Sequence, residues 1–260
     1  MKARSAAGRY PVMDLGQARR LLSEIPGDAR VLDVGGGAAP FPRADHVIDA
    51  LPFEKSGAGS DGSAHRALGI PARFTSDNWT RIDMCARRPW PFPDKAFDLV
   101  VCAHVLEDLR DPVWVCSEMS RVGRAGYIEA PSRVEEQSRG VENPRYAGYS
   151  HHRWLIEERG GSLEFRHKPH ALHAIDDAIV VDLPAGTRIN PRHAIVVHRW
   201  KDRVEAREVL EFNEAAVIDE LCGFARETRR LPDLTMGVPM PLARRIKRHL
   251  FFRRLARGGR

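Results

Sequence analysis

Three consecutive glycines, Gly35, Gly36 and Gly37, and a carboxylate shortly after them, Asp49, carry the clearest chemistry in this 260-residue sequence. The glycines follow the apolar run Val31-Leu32-Asp33-Val34. A glycine turn at the carboxyl end of a strand can take φ > 0 and lets the backbone approach a ligand with no Cβ in the way. Asp49 ends the next apolar run, His46-Val47-Ile48. From there a carboxylate can accept both ribose hydroxyls of an adenosine. Taken singly, each feature has a plain structural alternative: a tight turn for the glycines, a strand-end cap for the acid. The exit from the turn says what kind of nucleotide fits. A dinucleotide fingerprint needs G-x-G-x-x-G opening a helix, whose N-terminus caps a pyrophosphate. Here the glycines lead into Ala38-Ala39-Pro40-Phe41-Pro42 and reach the next strand within about eight residues, which leaves no room for that helix. A nicotinamide dinucleotide is disfavoured on this ground, and an adenosyl ligand without phosphates suits the loop better.

The elements that must position these groups alternate along the chain. Residues 14–25 place Leu15, Ala18, Leu21, Leu22 and Ile25 at helical spacing, with Pro26-Gly27 as a stop. Strands are predicted at 30–34, 46–49 and 79–83. Another is predicted at 97–103, whose unbroken apolar character suits a parallel sheet covered on both faces. A helix is predicted from Pro112 to Val122, with Asp111 as N-cap and Pro112 at the first helical position, then a fifth strand at 126–130. This alternation predicts a doubly wound α/β sheet. Further strands are expected at 162–167, 178–183 and 194–200, with 201–212 either a return arm or a helix. Residues 54–66, rich in glycine and serine, read as a loop.

Composition narrows the function classes. A hydrophobic content of 43% supports a full core. The four cysteines, Cys85, Cys102, Cys116 and Cys222, make no C-x-x-C pair and have no histidine at ligand spacing, so neither a disulfide framework nor a metal site is expected. No run reaches the roughly 20 apolar residues of a membrane span, and the N-terminus has no signal-like apolar region, so a cytoplasmic location is expected. The net charge of +6 is misleading: residues 244–260 carry +8 with no acid and leave −2 to the other 243 residues. The body of the chain thus has no nucleic-acid footprint. In the tail, Leu242, Ile246, Leu250, Phe251 and Leu255 recur at near-helical spacing among arginines, a pattern that could dock on an anionic membrane or another polyanion. A frayed terminus is the simpler expectation.

Read together, VLDVGGGAAPFPRADHVIDALP and IDMCARRPWPFPDKAFDLVVCAHVLEDLRDP resemble motif I and the adenine-acid-to-fourth-strand stretch of class I S-adenosylmethionine-dependent methyltransferases, in a bacterial type 11-like subgroup. SHHRW at 150–154 is similar to a further segment of that subgroup. The resemblance implies a mostly parallel, seven-stranded, Rossmann-like sheet with helices on both faces, and S-adenosylmethionine as cofactor. It implies that Asp33, Gly35, Gly36 and Gly37 shape the methionine end of the pocket and that Asp49 holds the ribose. Asp83, with the backbone of Met84, would read the adenine edge, while Ala103 and His104 would line the sulfonium side. Two positions depart from the pattern. Ala39 replaces the third glycine, and Asp108 follows Glu107 where the family has histidine, so no acid–base role is carried to that place.

Methyl transfer chiefly needs a positioned nucleophile and excluded water; a base is needed only for a hydroxyl or protonated amine. The candidates are His104, Glu129, His151 and His152, with packing roles as the alternative for the last three. Glu107 is expected to cap or anchor the following helix. Arg133, Arg139, Arg145 and Arg153 would suit an anionic acceptor, though a solvated charged surface is the commoner explanation. The expected organisation is an N-terminal helical extension (1–29), a methyltransferase domain (30–212) with an acceptor lid (131–160), and a C-terminal extension (213–260). The expected function is methylation of an O or N atom of a small or medium-sized acceptor, such as a sugar or other metabolite. A catalytically idle cofactor-binding partner or scaffold is the competing reading.

Overall fold

A computed structural model describes residues 13–37, 39–56, 68–143, 145–173, 177–184 and 187–237. Most of the 54–66 loop and the whole basic tail lie outside the described residues. Helix α1 (Leu15–Glu24) begins where Asp14 accepts a hydrogen bond from the Gln17 amide, and it buries Ala18 and Leu21. Strands β1 (Val31–Val34), β2 (His46–Asp49), β3 (Trp79–Arg81) and β4 (Phe97–Ala103) follow. Next come α2 (Pro112–Val122) and β5 (Gly123–Pro131), then the two-residue β6 (Ser138–Arg139). As its sequence predicts, α2 starts on Asp111, whose carboxylate accepts the Trp114 amide, with Pro112 in its first turn. The later strands are β7 (Trp154–Arg159), β8 (Ser162–His167), β9 (Val181–Asp182), β10 (Arg188–Ile189), β11 (Ile195–Lys201), β12 (Ala206–Glu208) and β13 (Thr235–Met236). Helix α3 (Glu214–Thr228) lies between the last two, and Arg133–Glu136 and Pro191–Ala194 are single helical turns.

The chain forms two interleaved compact units. The first takes residues up to Pro131, Arg153–His167 and Ile195–Leu210; the second takes Ser132–His152, Lys168–Ala194 and the chain from Glu211 on. The cuts fall after Pro131, His152, His167, Ala194 and Leu210, because strands distant in sequence return to the same sheets.

In the first unit the central sheet runs β11-β5-β4-β1-β2-β3, all parallel except β11 against β5. It has six strands among the described residues, not the seven expected. Segment 206–208 is neither a return arm of β11 nor a helix; it pairs in parallel with β8 in a second sheet, β12-β8-β7. Successive strand residues point to opposite faces, so one sheet carries two cores. Leu32, Val34, Val100 and Ile128 face Val115, Met119 and Val122 of α2, together with Trp154, Leu163 and Phe165 of the second sheet. Val31, Val47, Val101 and Tyr127 face Leu21 of α1, with Phe41, Phe74 and Trp79. Each fully buried Val, Leu or Phe contributes roughly 1.5–3 kcal/mol. The Lys95 ammonium ties the far end together, donating to the carbonyls of Ser120, Gly123 and Asp202.

The second unit is built around the turn Arg133–Glu136, the ladders β6–β9 (parallel) and β10–β13 (antiparallel), and α3. Of the strand expected at 178–183 only Val181–Asp182 pairs. Buried Gln137 ties this unit together, its amide donating to the carbonyls of Ile179 and Leu221. Among the described residues no helix is long and apolar enough to cross a membrane.

Candidate functional site

Strand β1 is flanked by β2 on one side and β4 on the other, so the connections leaving β1 and β4 depart in opposite directions. Ligands of open α/β sheets bind at the carboxyl end of such a reversal. The register pairs Val34 with Ile48 and Cys102, and Ala103 with Glu129. The residues that follow therefore form one row across the carboxyl edge: Asp49, Gly35, Ala103 and Glu129.

Gly35 has φ of 74°, and a Cβ there would come within 2.3 Å of a Val105 methyl, so glycine is required on both counts. Its amide donates to Ile48 O at 2.7 Å. Gly36 packs on the Asp33 carboxylate. The Gly37 amide donates to Asp49 Oδ2 at 2.8 Å, and the Leu51 amide to Asp49 Oδ1 at 2.6 Å. Asp33 accepts the Phe41 amide at 2.7 Å and so holds the proline-rich exit of the turn. Burial pushes the Asp33 carboxyl up to about 7, against the lowering effect of the Phe41 amide and with help from the Asp49 charge. Burial likewise raises Asp49, against its two amide donors.

These residues fit an adenosyl cofactor. Each Asp49 oxygen uses one lone pair on a backbone amide and keeps another for a ribose hydroxyl. The strand-end cap and the ribose acceptor, set apart as alternatives on sequence, are thus compatible roles for one carboxylate. Asp83 is exposed and caps the single turn Met84–Ala86 through the Cys85 amide, while Met84 is buried in the core.

His104 lies just beyond β4 with φ of 56°, and its amide donates to Glu129 O at 2.8 Å. That left-handed turn swings the imidazole to β5, where Nε2 lies 3.1 Å from Glu129 Oε1. Glu129 accepts two further bonds, from the Asp14 amide (2.8 Å) and from the Tyr127 hydroxyl (2.5 Å). Glu107 is 1% exposed and does not cap α2, a role that belongs to Asp111. Its Oε1 lies 3.6 Å from His104 Nδ1, the range of an ion pair rather than a hydrogen bond. Both Glu107 oxygens and His104 Nδ1 are without hydrogen-bond partners among the described residues. Burial opposes charge on His104, but nearby Glu107 and the bond to Glu129 outweigh it and raise the imidazole to about 9.

The other two histidine candidates belong to the second unit. His152 is buried, with Nδ1 2.6 Å from Glu136 Oε1, and the Lys168 ammonium holds Oε2 of the same carboxylate at 2.7 Å. Lys168 also donates to the carbonyls of Ala147 and Tyr149, which pins the 147–149 loop. His151 is exposed and packs edge-on against the Tyr149 and His152 rings. The cationic bias read from the arginines is partly spent. Arg133 is buried, pairs with Glu220 (Nη2 to Oε2 2.6 Å) and stacks on Phe224, while Arg139 faces Asp177 and Asp182. Glu107, Tyr127 and Asp14 are the site residues that the sequence reading missed. An acid directly after the apolar pair Val105-Leu106 was the available signal for Glu107.

A doubly wound α/β sheet with a glycine turn and an acid at its switch point is compatible with an adenosyl ligand. The family described as "Methyltransferase domain" matches residues 66–128. That match, over about a quarter of the chain, supports S-adenosylmethionine as the cofactor. No curated protein gives a significant match. Similar solved structures include the YcgJ protein of Bacillus subtilis (23% identity, 45% of this chain and 51% of that one, TM-score 0.32). Others are methyltransferases described as SAM-dependent from Aquifex aeolicus (22%, 49% and 69%, TM-score 0.34) and Archaeoglobus fulgidus (21%, 48% and 53%, TM-score 0.35). The chain spans about half the length of the Bacillus and Archaeoglobus proteins.

Proposed function

We propose that the chain catalyses methyl transfer to an O or N atom of a small or medium-sized acceptor, a sugar or another metabolite, with His104 as the base that prepares that atom. The observation that carries this reading is the His104–Glu129 pair, set in the same edge row as Gly35 and Asp49. The bound cofactor supplies an electrophilic methyl group on a sulfonium. The chain's own task is to hold the acceptor atom in line and remove its proton. Glu129 Oε1 is an acceptor, so it holds the proton of the neutral ring on Nε2 and leaves Nδ1 as the basic nitrogen. The Tyr127 hydroxyl and Asp14 amide fix the carboxylate, and through it the ring.

Two measurements test this reading. Calorimetric titration should show S-adenosylmethionine binding that Asp49→Ala weakens by about 10–100-fold, the equivalent of one or two hydrogen bonds to a charged group. Unchanged affinity would place the ribose elsewhere. S-adenosylhomocysteine release with an acceptor panel should rise with pH up to about 9, because the base must lose its proton. Cofactor binding with no turnover of any acceptor would favour the scaffold reading.

A further inference from the structure

We propose that Glu107 is the acceptor-binding carboxylate of this site and that it selects an amine, which arrives as an ammonium ion. The inference rests on the methyl-transfer reading above and adds the substrate class. Four observations support it. Glu107 is 1% exposed, and neither of its oxygens has a hydrogen-bond donor among the described residues. The neighbouring acid, Glu129, has three donors and needs no more. The nitrogen facing Glu107, His104 Nδ1, is also unpartnered. The Val105 side chain, two residues before Glu107, meets Gly35, which puts this stretch of chain beside the glycine turn as well as the imidazole.

A buried carboxylate with no donor is costly, so a stable fold keeps one only where another group supplies the compensation. Charge decides which ligand can do so. Glu129 and a protonated His104 cancel, and Glu107 leaves one negative charge. A carboxylate or phosphate acceptor would add to it, and a neutral hydroxyl would supply one donor and no charge. An ammonium group supplies both the donors and the opposite charge.

The same arrangement disposes of the proton. An ammonium ion bound to Glu107 takes up the charge that held His104 protonated and repels the imidazolium, so His104 releases its proton to water. Its Nδ1 lone pair then takes one proton from the ammonium. The freed nitrogen pair forms the bond to the methyl carbon, and the electron pair of the broken S–C bond stays on sulfur. The new methylammonium is the product, and the imidazolium proton remains on His104.

The test uses the full chain and matched probes, phenethylamine against 2-phenylethanol and glucosamine against glucose. Thermal shift of the protein saturated with S-adenosylhomocysteine reads binding, and S-adenosylhomocysteine formation reads turnover. The amines should raise Tm of the native protein and leave Glu107→Gln unmoved, while the alcohols move neither. Where an amine turns over, Glu107→Gln should raise its KM at least tenfold with S-adenosylmethionine affinity unchanged, and Glu107→Asp should restore part of the loss. Equal stabilisation of both proteins by the amines, no stabilisation of either, or turnover of the alcohols alone would overturn the proposal. Failure to bind S-adenosylmethionine in calorimetry would instead overturn the methyl-transfer reading.

Discussion

The molecule holds two buried histidine–glutamate clusters with opposite bookkeeping of hydrogen bonds: one sets a histidine between two acids, the other an acid between a histidine and a lysine. In the second unit Glu136 meets His152 and Lys168, and Lys168 spends its remaining donors on the carbonyls of Ala147 and Tyr149. In the first unit His104 meets Glu129, but among the described residues its other nitrogen and both Glu107 oxygens make no hydrogen bond and face each other only at ion-pair distance. A buried polar cluster that satisfies itself fastens chain segments together. One that leaves atoms over has a use for them. By that criterion the Glu136 cluster is architecture, and the His104 cluster is the one for which a chemical role is proposed.

Substitution separates the two most sharply. His104→Ala should lower kcat/KM by about 10²–10⁴-fold, the usual contribution of a positioned acid or base, with a small change in unfolding midpoint. A full loss of cooperative unfolding would make His104 structural and erase the contrast. Glu136→Gln should do the reverse. It strands the Lys168 ammonium and His152 away from water and should cost about 3–5 kcal/mol in urea denaturation, as breaking buried ion pairs does. A cost below about 1 kcal/mol would mean that the cluster is not the fastening described.

Acid and base should pull the clusters apart more gently. Although burial opposes its charge, the His152 bond and the Lys168 charge hold the Glu136 carboxyl below its ordinary range. A depressed folded value stabilises above the unfolded value and is lost as pH falls through the folded one. His104 is raised, from 6.5 to about 9, so its contribution is full below 6.5 and disappears as pH rises through 9. Relative to the native protein, Glu136→Gln should therefore flatten the acid side of the stability–pH curve. Glu129→Gln should flatten the alkaline side between about 6.5 and 9. Curves that change on the same side for both variants would show that the clusters are not electrically distinct.

Much of the first unit was legible in the sequence because its signals are local. Strand β4 runs over the very residues predicted, 97–103, since a parallel strand covered on both faces is mainly apolar, here with Asp98 alone exposed. Helix α2 starts on Asp111 and Pro112, since capping chemistry is carried by adjacent residues. Strand β7 and helix α3 went unrecognised. Trp154-Leu155-Ile156 is followed by Glu157-Glu158-Arg159, so the strand reads as half of one, and α3 buries only Leu221, Ala225 and Thr228 along a narrow stripe interrupted by Gly223. The seventh strand was carried over with the family resemblance, and the described chain builds six. The expected span 131–160 splits because 132–152 packs within one unit while 153–167 supplies two strands to the other.

The sequence by itself determined the glycine turn, its proline-rich exit and the acid at Asp49, hence an adenosyl ligand. Each of these is a backbone requirement expressed by neighbouring residues. Which histidine is paired for structure and which stands ready for chemistry was decided only in three dimensions. The imidazole of His104 faces Glu107 and Glu129, and Glu129 in turn is held by Asp14 and Tyr127, residues up to 115 positions apart. A titration or a missing hydrogen bond is a property of what surrounds a group, and no spacing along the chain records it.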